Sequence, residues 1–483
     1  MSELRIHEKD NVAVVLEPAQ GSEAQRGHKV ALTDIHAGEH IIKYGFPIGH
    51  ATVDIKAGQW VHTHNLKTNL GDILDYQYQP ESVSDSVSVS CECPVFQGYC
   101  RADGRVGIRN EVWVIPTVSC VNQNIRLIAE QAAAVCKDLP NVDGIFAITH
   151  PYGCSQLGDD HSTTQRLLAD LVCHPNAGAV LVVGLGCENN YIAEFKKILG
   201  DYDPARVNFL VAQEVEDEIS VGVELVVELA RYASAYKRED CPVSELVVGL
   251  KCGGSDGFSG ITANPLVGSL SDRLLSCGGS TVLTEVPEMF GAETILMNRA
   301  ASRAVFDKTV NLINDFKAYF VSYKQPIYEN PSPGNKAGGI STLEEKSLGC
   351  TQKGGTGQVT DVIGYAERVS KKGLTLLSSP GNDMVAATAL AAAGCQIILF
   401  TTGRGTPLGT VVPTIKVATN SELFSRKTNW MDFDAGRVLT GTPMEQLTDE
   451  FLQYIIAVAA GQATKAEHMG FREIAIFKNG VTL

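Results

Sequence analysis

The sequence predicts an α/β protein, with a small N-terminal β domain followed by two α/β regions built on mostly parallel sheets. Three observations carry this reading. Short β-type runs punctuated by glycine crowd the first 75 residues and then stop. From residue 98 onward, apolar runs alternate with stretches of helical composition, the pattern of a parallel sheet covered on both faces. The length of 483 residues suggests about three domains at roughly 150 residues each. The expected division is 1–75 for the β domain, 76–97 for a linker, 98–240 for the middle domain and 241–483 for the C-terminal domain.

In the first region, residues 11–16, 27–32 and 39–45 read as strands, with Gly45, Gly49 and Gly58 suited to turns or bulges. Val61-His62-Thr63-His64-Asn65 reads as extended, which would set His62 and His64 on one strand face. Imidazole is the commonest side-chain ligand of a transition metal, so the pair is a candidate metal site. A surface strand carrying two polar residues is the plainer alternative. Residues 76–97 are polar and Ser-rich and read as an extended linker. Its Cys91-Glu-Cys93 pair has no second pair nearby to complete a zinc site.

In the middle region, strands are expected at 111–118, 144–149, 179–184 and 207–211, and helices at 124–137, 161–173, 190–199 and 217–236. The charged run Lys237-Arg-Glu-Asp240 before Pro242 marks a boundary. Beyond it, strands are expected at 246–251, 280–284, 374–377 and 396–401, and helices at 293–319 and 444–461. The Gly-rich segment 326–357 reads as a long functional loop, because long ordered loops seldom serve only as connectors.

The composition, 44% hydrophobic and 20% charged, is that of a globular protein with a large core. A net charge of −15 argues against a nucleic-acid surface, and an anionic substrate would need a local positive site. Neither a secretory h-region nor an 18-residue apolar run occurs, so a cytoplasmic protein without membrane contact is expected. There the thirteen cysteines, odd in number and irregular in spacing, would be mostly reduced.

Ligands of open parallel sheets bind at the carboxyl ends of strands. Four expected strand ends each deliver one cysteine beside glycine or polar residues: Cys120, Cys154, Cys187 and Cys252. These thiols could ligate iron or an iron–sulfur cluster, could be small residues allowing close backbone approach, or could include a nucleophile. Polar side chains suited to a polyhydroxy acid recur in the same class of loop: Arg105, Arg109, Asn110, Asn335, Lys336 and Arg404. Each alone could be a solvated turn residue; their recurrence favours an extended polar pocket. Gly403-Arg-Gly405 lacks the full dinucleotide fingerprint, so no nucleotide cofactor is expected. His150 and His161 could be ligands, bases or structural histidines.

Several of these strings together resemble one family. Gly98-Tyr-Cys-Arg-Ala-Asp-Gly-Arg-Val-Gly-Ile-Arg-Asn110, His150-Pro-Tyr-Gly-Cys-Ser-Gln-Leu-Gly-Asp-Asp-His161, Gly184-Leu-Gly-Cys-Glu-Asn-Asn190 and Cys252-Gly-Gly-Ser-Asp-Gly257 look like the altronate/galactarate dehydratase family. So do Glu329-Asn-Pro-Ser-Pro-Gly-Asn-Lys-Ala-Gly-Gly339 and Thr402-Gly-Arg-Gly-Thr-Pro407, and the resemblance spans essentially the whole chain. It implies a SAF-like β-clip domain at the N-terminus. It further implies dehydration of D-altronate to 2-dehydro-3-deoxy-D-gluconate in hexuronate breakdown, with ferrous iron or manganese.

The resemblance does not fix the ligands, so the site rests on the residues. His62 and His64 are expected to bind a single metal ion from the small domain, with Cys154, Cys187, Glu188 or substrate completing the set. Arg105, Arg109, Asn110, Asn335 and Arg404 are expected to hold the sugar acid, and His161 or Lys336 to serve as the base. An iron–sulfur dehydratase, an enzyme for a related aldonate or aldarate such as galactarate, and a non-catalytic sugar-acid-binding protein are the alternatives. A homodimer is the oligomer to test for.

Overall fold

The computed structural model describes residues 2–71, 73–80 and 93–481; Cys91 and most of the Ser-rich linker lie outside the described residues. The first domain is built from seven short strands. β1 (Ser2–Leu4), β2 (Val12–Glu17), β3 (Lys29–Ala31) and β6 (Trp60–Val61) form one antiparallel sheet. β4 (His40–Lys43), β5 (Phe46–Ala51) and β7 (Leu66–Lys67) form the other. Val12, Ile35, Ile41, Ile48, Val61 and Leu66 fill its core, and Ala292 and Leu348 from the C-terminal domain complete it. The strand carrying the histidine pair is shorter than expected. It ends at Val61, and His62 and His64 sit in the turn before β7, which Asn65 closes by accepting a hydrogen bond from His62 N (2.9 Å).

The segment expected to be an extended linker is docked at its first residues. Tyr76 receives a hydrogen bond from buried Lys317 (3.0 Å), and Tyr78 packs on Phe306 with ring centroids 5.0 Å apart. β8 (Val95–Cys100) then pairs with β9 (Val106–Gly107) and, across the domain boundary, with β14 (Glu239–Pro242).

The middle domain is a parallel four-stranded sheet in the order β11 (Gly144–Ala147), β10 (Glu111–Pro116), β12 (Ala177–Gly184), β13 (Val207–Val211). Successive residues of β10 point to opposite faces, as strand geometry demands. Val112 and Val114 join the core under α1 (Asn122–Cys136) and α4 (Glu218–Ser234). Trp113 and Ile115 join the core under α2 (Gly158–Val172) and α3 (Ile192–Leu199). That second core runs on into the C-terminal domain through Leu377, Leu390 and Ile398, so the two α/β domains share one apolar layer.

The C-terminal sheet has seven parallel strands in the order β17 (Val359–Ile363), β18 (Gly373–Leu377), β16 (Ser280–Leu283), β15 (Val247–Cys252), β19 (Ile397–Thr402), β20 (Thr414–Ala418), β21 (Phe433–Asp434). The strands that follow β15 fill one side of it, β16 to β18, and then the other, β19 to β21. The crevice beyond the carboxyl ends of β15 and β19 is therefore the switch point where open α/β sheets bind ligands. Among its helices are α5 (Ala263–Ser276), α6 (Glu293–Asn298) and α7 (Arg303–Ser322). The last two were expected as one helix. They separate where Ser302 leaves helical geometry and caps α7 through Val305 N. The expected long loop 326–357 folds into α8 (Pro333–Ala337), α9 (Leu343–Cys350) and a 3-10 turn. α10 (Asp383–Ala392), α11 (Ser421–Arg426), α12 (Met444–Ala459) and α13 (Lys465–His468) complete the domain.

Candidate functional site

β15 delivers Lys251 and Cys252, both buried, to the switch point. Lys251 Nζ donates to Asp383 (2.9 Å), to the Cys252 carbonyl (2.7 Å) and to Glu285. Glu285 follows β16 in a left-handed conformation (φ 69°) and turns the chain inward. Its carboxylate accepts from Cys252 N (2.9 Å) and Lys353 Nζ (3.3 Å). Glu288, three residues on, pairs with Lys346 at 2.7 Å. The approach of Asp383 requires Gly253, since a Cβ there would lie 2.7 Å from the carboxylate.

At the centre, Cys252 Sγ stands 3.1 Å from Glu288 Oε2 and 3.4 Å from Cys350 Sγ, and Cys350 Sγ stands 3.2 Å from Glu288 Oε2. Lys353 Nζ lies 2.8 Å from Cys252 Sγ. Three lysines thus meet three carboxylates around two thiols, and all of them except Asp383 are buried. Burial by itself would raise the Glu288 carboxyl, but Lys346, Lys353 and Lys251 outweigh it and hold the group well below the usual carboxylate range. Burial likewise opposes the Lys353 cation, and Cys252, Cys350 and the two glutamates outweigh it. The Cys350 thiol is pushed up by its contact with Cys252 and by burial.

Cys252, Glu288 and Cys350 are the one trio among the described residues whose donor atoms gather within 4.8 Å, close enough to share an ion. Three protein ligands leave a coordination position free, which is how catalytic sites differ from closed structural ones. Two thiols with one carboxylate suit a borderline-soft ion such as Fe²⁺ or Zn²⁺ better than Mn²⁺. A cation would displace the thiol protons, and the neighbouring lysines would then stabilise the thiolates.

α9 ties this centre to the first domain. All eight of its residues are buried although it carries Glu344, Glu345 and Lys346. Each charge is met from a different side. Thr68 and Asn69 N donate to Glu344, Lys29 (2.8 Å) and Lys43 (2.7 Å) pair with Glu345, and Lys346 faces Glu288, Asn330 and Asn335. Burial pulls the Lys29 ammonium down to about 8 despite Glu345. Burial opposes the Glu345 carboxylate, yet Lys29 and Lys43 bring it down to about 2. Backbones meet closely here: a Cβ on Gly257 would lie 1.9 Å from Gly27 O.

The structure distributes the expected site residues over three places. Asn335 lies at the centre, accepting from Lys346 (3.3 Å) and donating to Ser255 O (2.9 Å); half-buried Lys336 is its neighbour on α8. Exposed Arg404 follows β19 and bonds Gly254 O through its backbone N–H (3.0 Å). His62 lies at the domain contact, with Nδ1 2.8 Å from Ser341 Oγ; burial and Lys29 bring it down to about 4. His64 is exposed beside Trp60. Cys154, Cys187, Glu188 and His161 lie in the middle domain. They form no metal-sized group with His62 and His64, because they lie on α2 and on loops that follow strands of a different sheet. Glu188 is occupied in closing its own loop, accepting from Thr117 Oγ1 (2.5 Å), Leu185 N (3.0 Å) and Gly186 N (2.7 Å).

Arg109 and Asn110 are occupied by structural partners, whereas Arg105 lines a surface cavity with Lys308, Asp361 and Lys371, away from the carboxyl end of β15. Arg109 grips Glu467 (2.8 Å) and the carbonyls of Ile108, Val458 and Gln462. Asn110 spans Arg101, Asn141 O and Ala233 O. Arg105 pairs with Asp103 at the surface. Sequence reading missed Glu285, Glu288, Lys346, Cys350 and Lys353. A usable signal lay in Thr342-Leu-Glu-Glu345, a capping box pattern that announces a helix inside the supposed loop.

Family models match along the whole chain. The altronate/galactarate dehydratase SAF domain covers residues 1–69, the D-galactarate dehydratase/altronate hydrolase second domain 98–234, and the D-galactarate/altronate dehydratase C-terminal domain 243–482. Altronate dehydratase of Bacillus subtilis (strain 168) is 55% identical over 495 residues, covering 99% of each chain. Altronate dehydratase of Escherichia coli (strain K12) is 54% identical over 497 residues, covering 100% of each. Galactarate dehydratase (L-threo-forming) of the same strain is 34% identical, covering 98% of this chain and 96% of its own.

Proposed function

This chain belongs to the D-galactarate/altronate dehydratase family, and from that premise we propose that it is a hydro-lyase converting D-altronate to 2-dehydro-3-deoxy-D-gluconate and water. The observation that carries the reading is identity of 54–55% to two altronate dehydratases over the entire length, against 34% to a galactarate dehydratase.

The reaction centre is the buried group at the end of β15. The C2 proton of a sugar acid is very weakly acidic, and its removal spreads negative charge onto the carboxylate. That charge needs preorganised positive groups in a water-poor site. Lys251, Lys346 and Lys353 supply them from within the protein. Fe²⁺ held by Cys252, Glu288 and Cys350 would add Lewis-acid polarisation of the substrate carboxylate. Asp383, with 40% of its side chain exposed, forms the solvent edge of the group and faces the substrate's hydroxyls. Lys336, next to Asn335 on α8, is the base, whereas His161 lies in the first turn of a helix of the middle domain. A base that has taken the C2 proton can return it to the departing C3 hydroxyl, so the elimination balances with one group. Arg404, at the end of β19, takes the distal hydroxyls.

We place the enzyme in the cytoplasm. Two thiols 3.4 Å apart would be prone to oxidation elsewhere, and no helix among the described residues is long and apolar enough to cross a membrane.

The test is anaerobic turnover by metal-stripped protein, with Fe²⁺, Mn²⁺ or Mg²⁺ restored and D-altronate compared with galactarate. Formation of the 2-keto-3-deoxy acid from D-altronate, greatest with Fe²⁺, is expected. Faster turnover of galactarate, or no product with any metal, refutes the assignment.

A further inference from the structure

The middle domain holds a second cluster of reactive groups, outside the centre at β15. Strands β11, β10 and β12 are adjacent and parallel, and each ends in a loop with one exposed cysteine: Cys154, Cys120 and Cys187 respectively. Backbone hydrogen bonds join the loops, from Ser119 N to Tyr152 O (2.8 Å) and from Asn189 N to Cys154 O (2.9 Å). Free cysteine is among the most buried residue types, so three exposed at neighbouring strand ends are not there for packing.

Each thiol is followed, two or three positions on, by an amide side chain: Asn122, Gln156 and Asn190. Each amide keeps one buried atom with no hydrogen-bond partner among the described residues, namely Asn122 Oδ1, Gln156 Nε2 and Asn190 Oδ1. Gln156 and Asn190 are only 8% and 6% exposed. Two of the amides are anchored at their other end, Asn122 Nδ2 to His150 O (2.8 Å) and Asn190 Nδ2 to Thr117 O (3.2 Å). His161 Nε2, at the start of α2, is a further buried atom without a partner. Buried polar atoms in folded proteins are almost always paired, so unpaired amides on the same three joined loops that carry the thiols point to a ligand there.

We propose that Cys120, Cys154 and Cys187 hold a four-iron iron–sulfur cluster, leaving one iron without a protein ligand. A single ion does not suit the spacing, because these three sulfurs do not form a trio within 4.8 Å as Cys252, Glu288 and Cys350 do. Adjacent strand ends are about 4.8 Å apart, so ligands from three successive strands match a cofactor several ångströms across. Thiolates are the usual ligands of such clusters, and hydrogen bonds to sulfur tune them. Gln213 Nε2 already reaches Cys187 Sγ at 3.6 Å, and the free Gln156 Nε2 is a second donor. The amide oxygens of Asn122 and Asn190 would accept from a hydroxyl-bearing molecule at the open face. Uptake needs no electron transfer. A preassembled [4Fe–4S] cluster carried on small thiolates exchanges three of them for the cysteines, and each cysteine proton leaves with a released thiol.

The full-length protein is incubated anaerobically with a [4Fe–4S] cluster preassembled on glutathione, passed through a desalting column, and assayed for iron, acid-labile sulfide and visible absorbance. The wild type is expected to retain sulfide and iron in near-equal amounts, with broad brown absorbance. Cys120→Ser/Cys154→Ser/Cys187→Ser, whose changes are at exposed positions, is expected to lose sulfide at least about tenfold while keeping the wild-type circular dichroism. Cys350→Ser is expected to retain the cluster, which separates this site from the centre at β15. No sulfide on the wild type, or equal sulfide on the folded triple variant, overturns the proposal.

Discussion

Cys350 shows how much a single residue can hinge on its neighbours. In the sequence it is one of thirteen cysteines; in the fold its sulfur lies 3.4 Å from that of Cys252 and 3.2 Å from Glu288. Cys350→Ser should weaken iron binding by about 100-fold or more, read by iron content after dialysis against a chelator. Lys336→Ala should leave iron content unchanged and lower kcat by roughly 100- to 10,000-fold, the usual contribution of a positioned general base. Buried histidines make a further prediction. His150 accepts from Tyr152 N at Nδ1 (3.2 Å), so its Nε2–H donates to Pro116 O (3.1 Å). His174 is wired alike, between Asn176 N (3.0 Å) and Cys395 O (3.2 Å). Each ring must stay neutral, and burial lowers His150 to about 4 and His174 to about 3. Between those values and 6.5 the unfolded chain binds more protons than the folded one. Their stabilisation is therefore complete above about pH 6.5 and is lost as pH falls toward 4, on the order of 3 kcal/mol for His150. Urea unfolding at pH 7 and pH 4.5 measures it, and His150→Gln should flatten the dependence.

At the scale of elements, α9 is the piece on which the site depends. A helix of eight residues with three charges is an unpromising core element, and it is buried only because two domains supply counter-charges. Glu345→Ala would leave Lys29 and Lys43 buried without their anion, costing about 3–5 kcal/mol. The first domain should then release from the rest, seen as a lower urea midpoint together with loss of turnover. Glu345→Gln, which keeps the shape, should show the same direction. The strand ends of the middle domain illustrate the opposite case. Their cysteines and amides are set by local loops, so the regular spacing of thiols was legible before any fold was known.

At the scale of the whole molecule, the three domains are not beads on a string. The first domain's core borrows Ala292 and Leu348, and the middle and C-terminal domains share an apolar layer. Ligand binding at β15 should therefore be felt globally. Fe²⁺ at 100 times its Kd should stabilise the fold by about 2.7 kcal/mol, by mass action on the native state. Anaerobic thermal unfolding should show a rising Tm with Fe²⁺, little change with Mn²⁺, and none in Cys252→Ser/Cys350→Ser. An equal response to Mn²⁺ would argue for oxygen ligands in place of the thiols.

Local periodicity determined most elements of this chain, because burial on one or both faces of a strand or helix writes itself into consecutive residues. Strands β10, β12, β15 and β19 and the helices between them are of that kind. Cys252 at the end of β15 and Arg404 just after β19 follow from the same strand pattern, whereas Asn335 and Lys336, expected in a loop, lie on α8. Only the tertiary structure decided that His62 faces Ser341 across a domain contact, that Arg109 is spent on Glu467, and that Glu285, Glu288, Cys350 and Lys353 meet at Cys252. Those partners lie from 33 to 358 positions apart, and electrostatic pairing across such distances leaves no periodic mark in the sequence; it is fixed by the order in which strands enter the sheet.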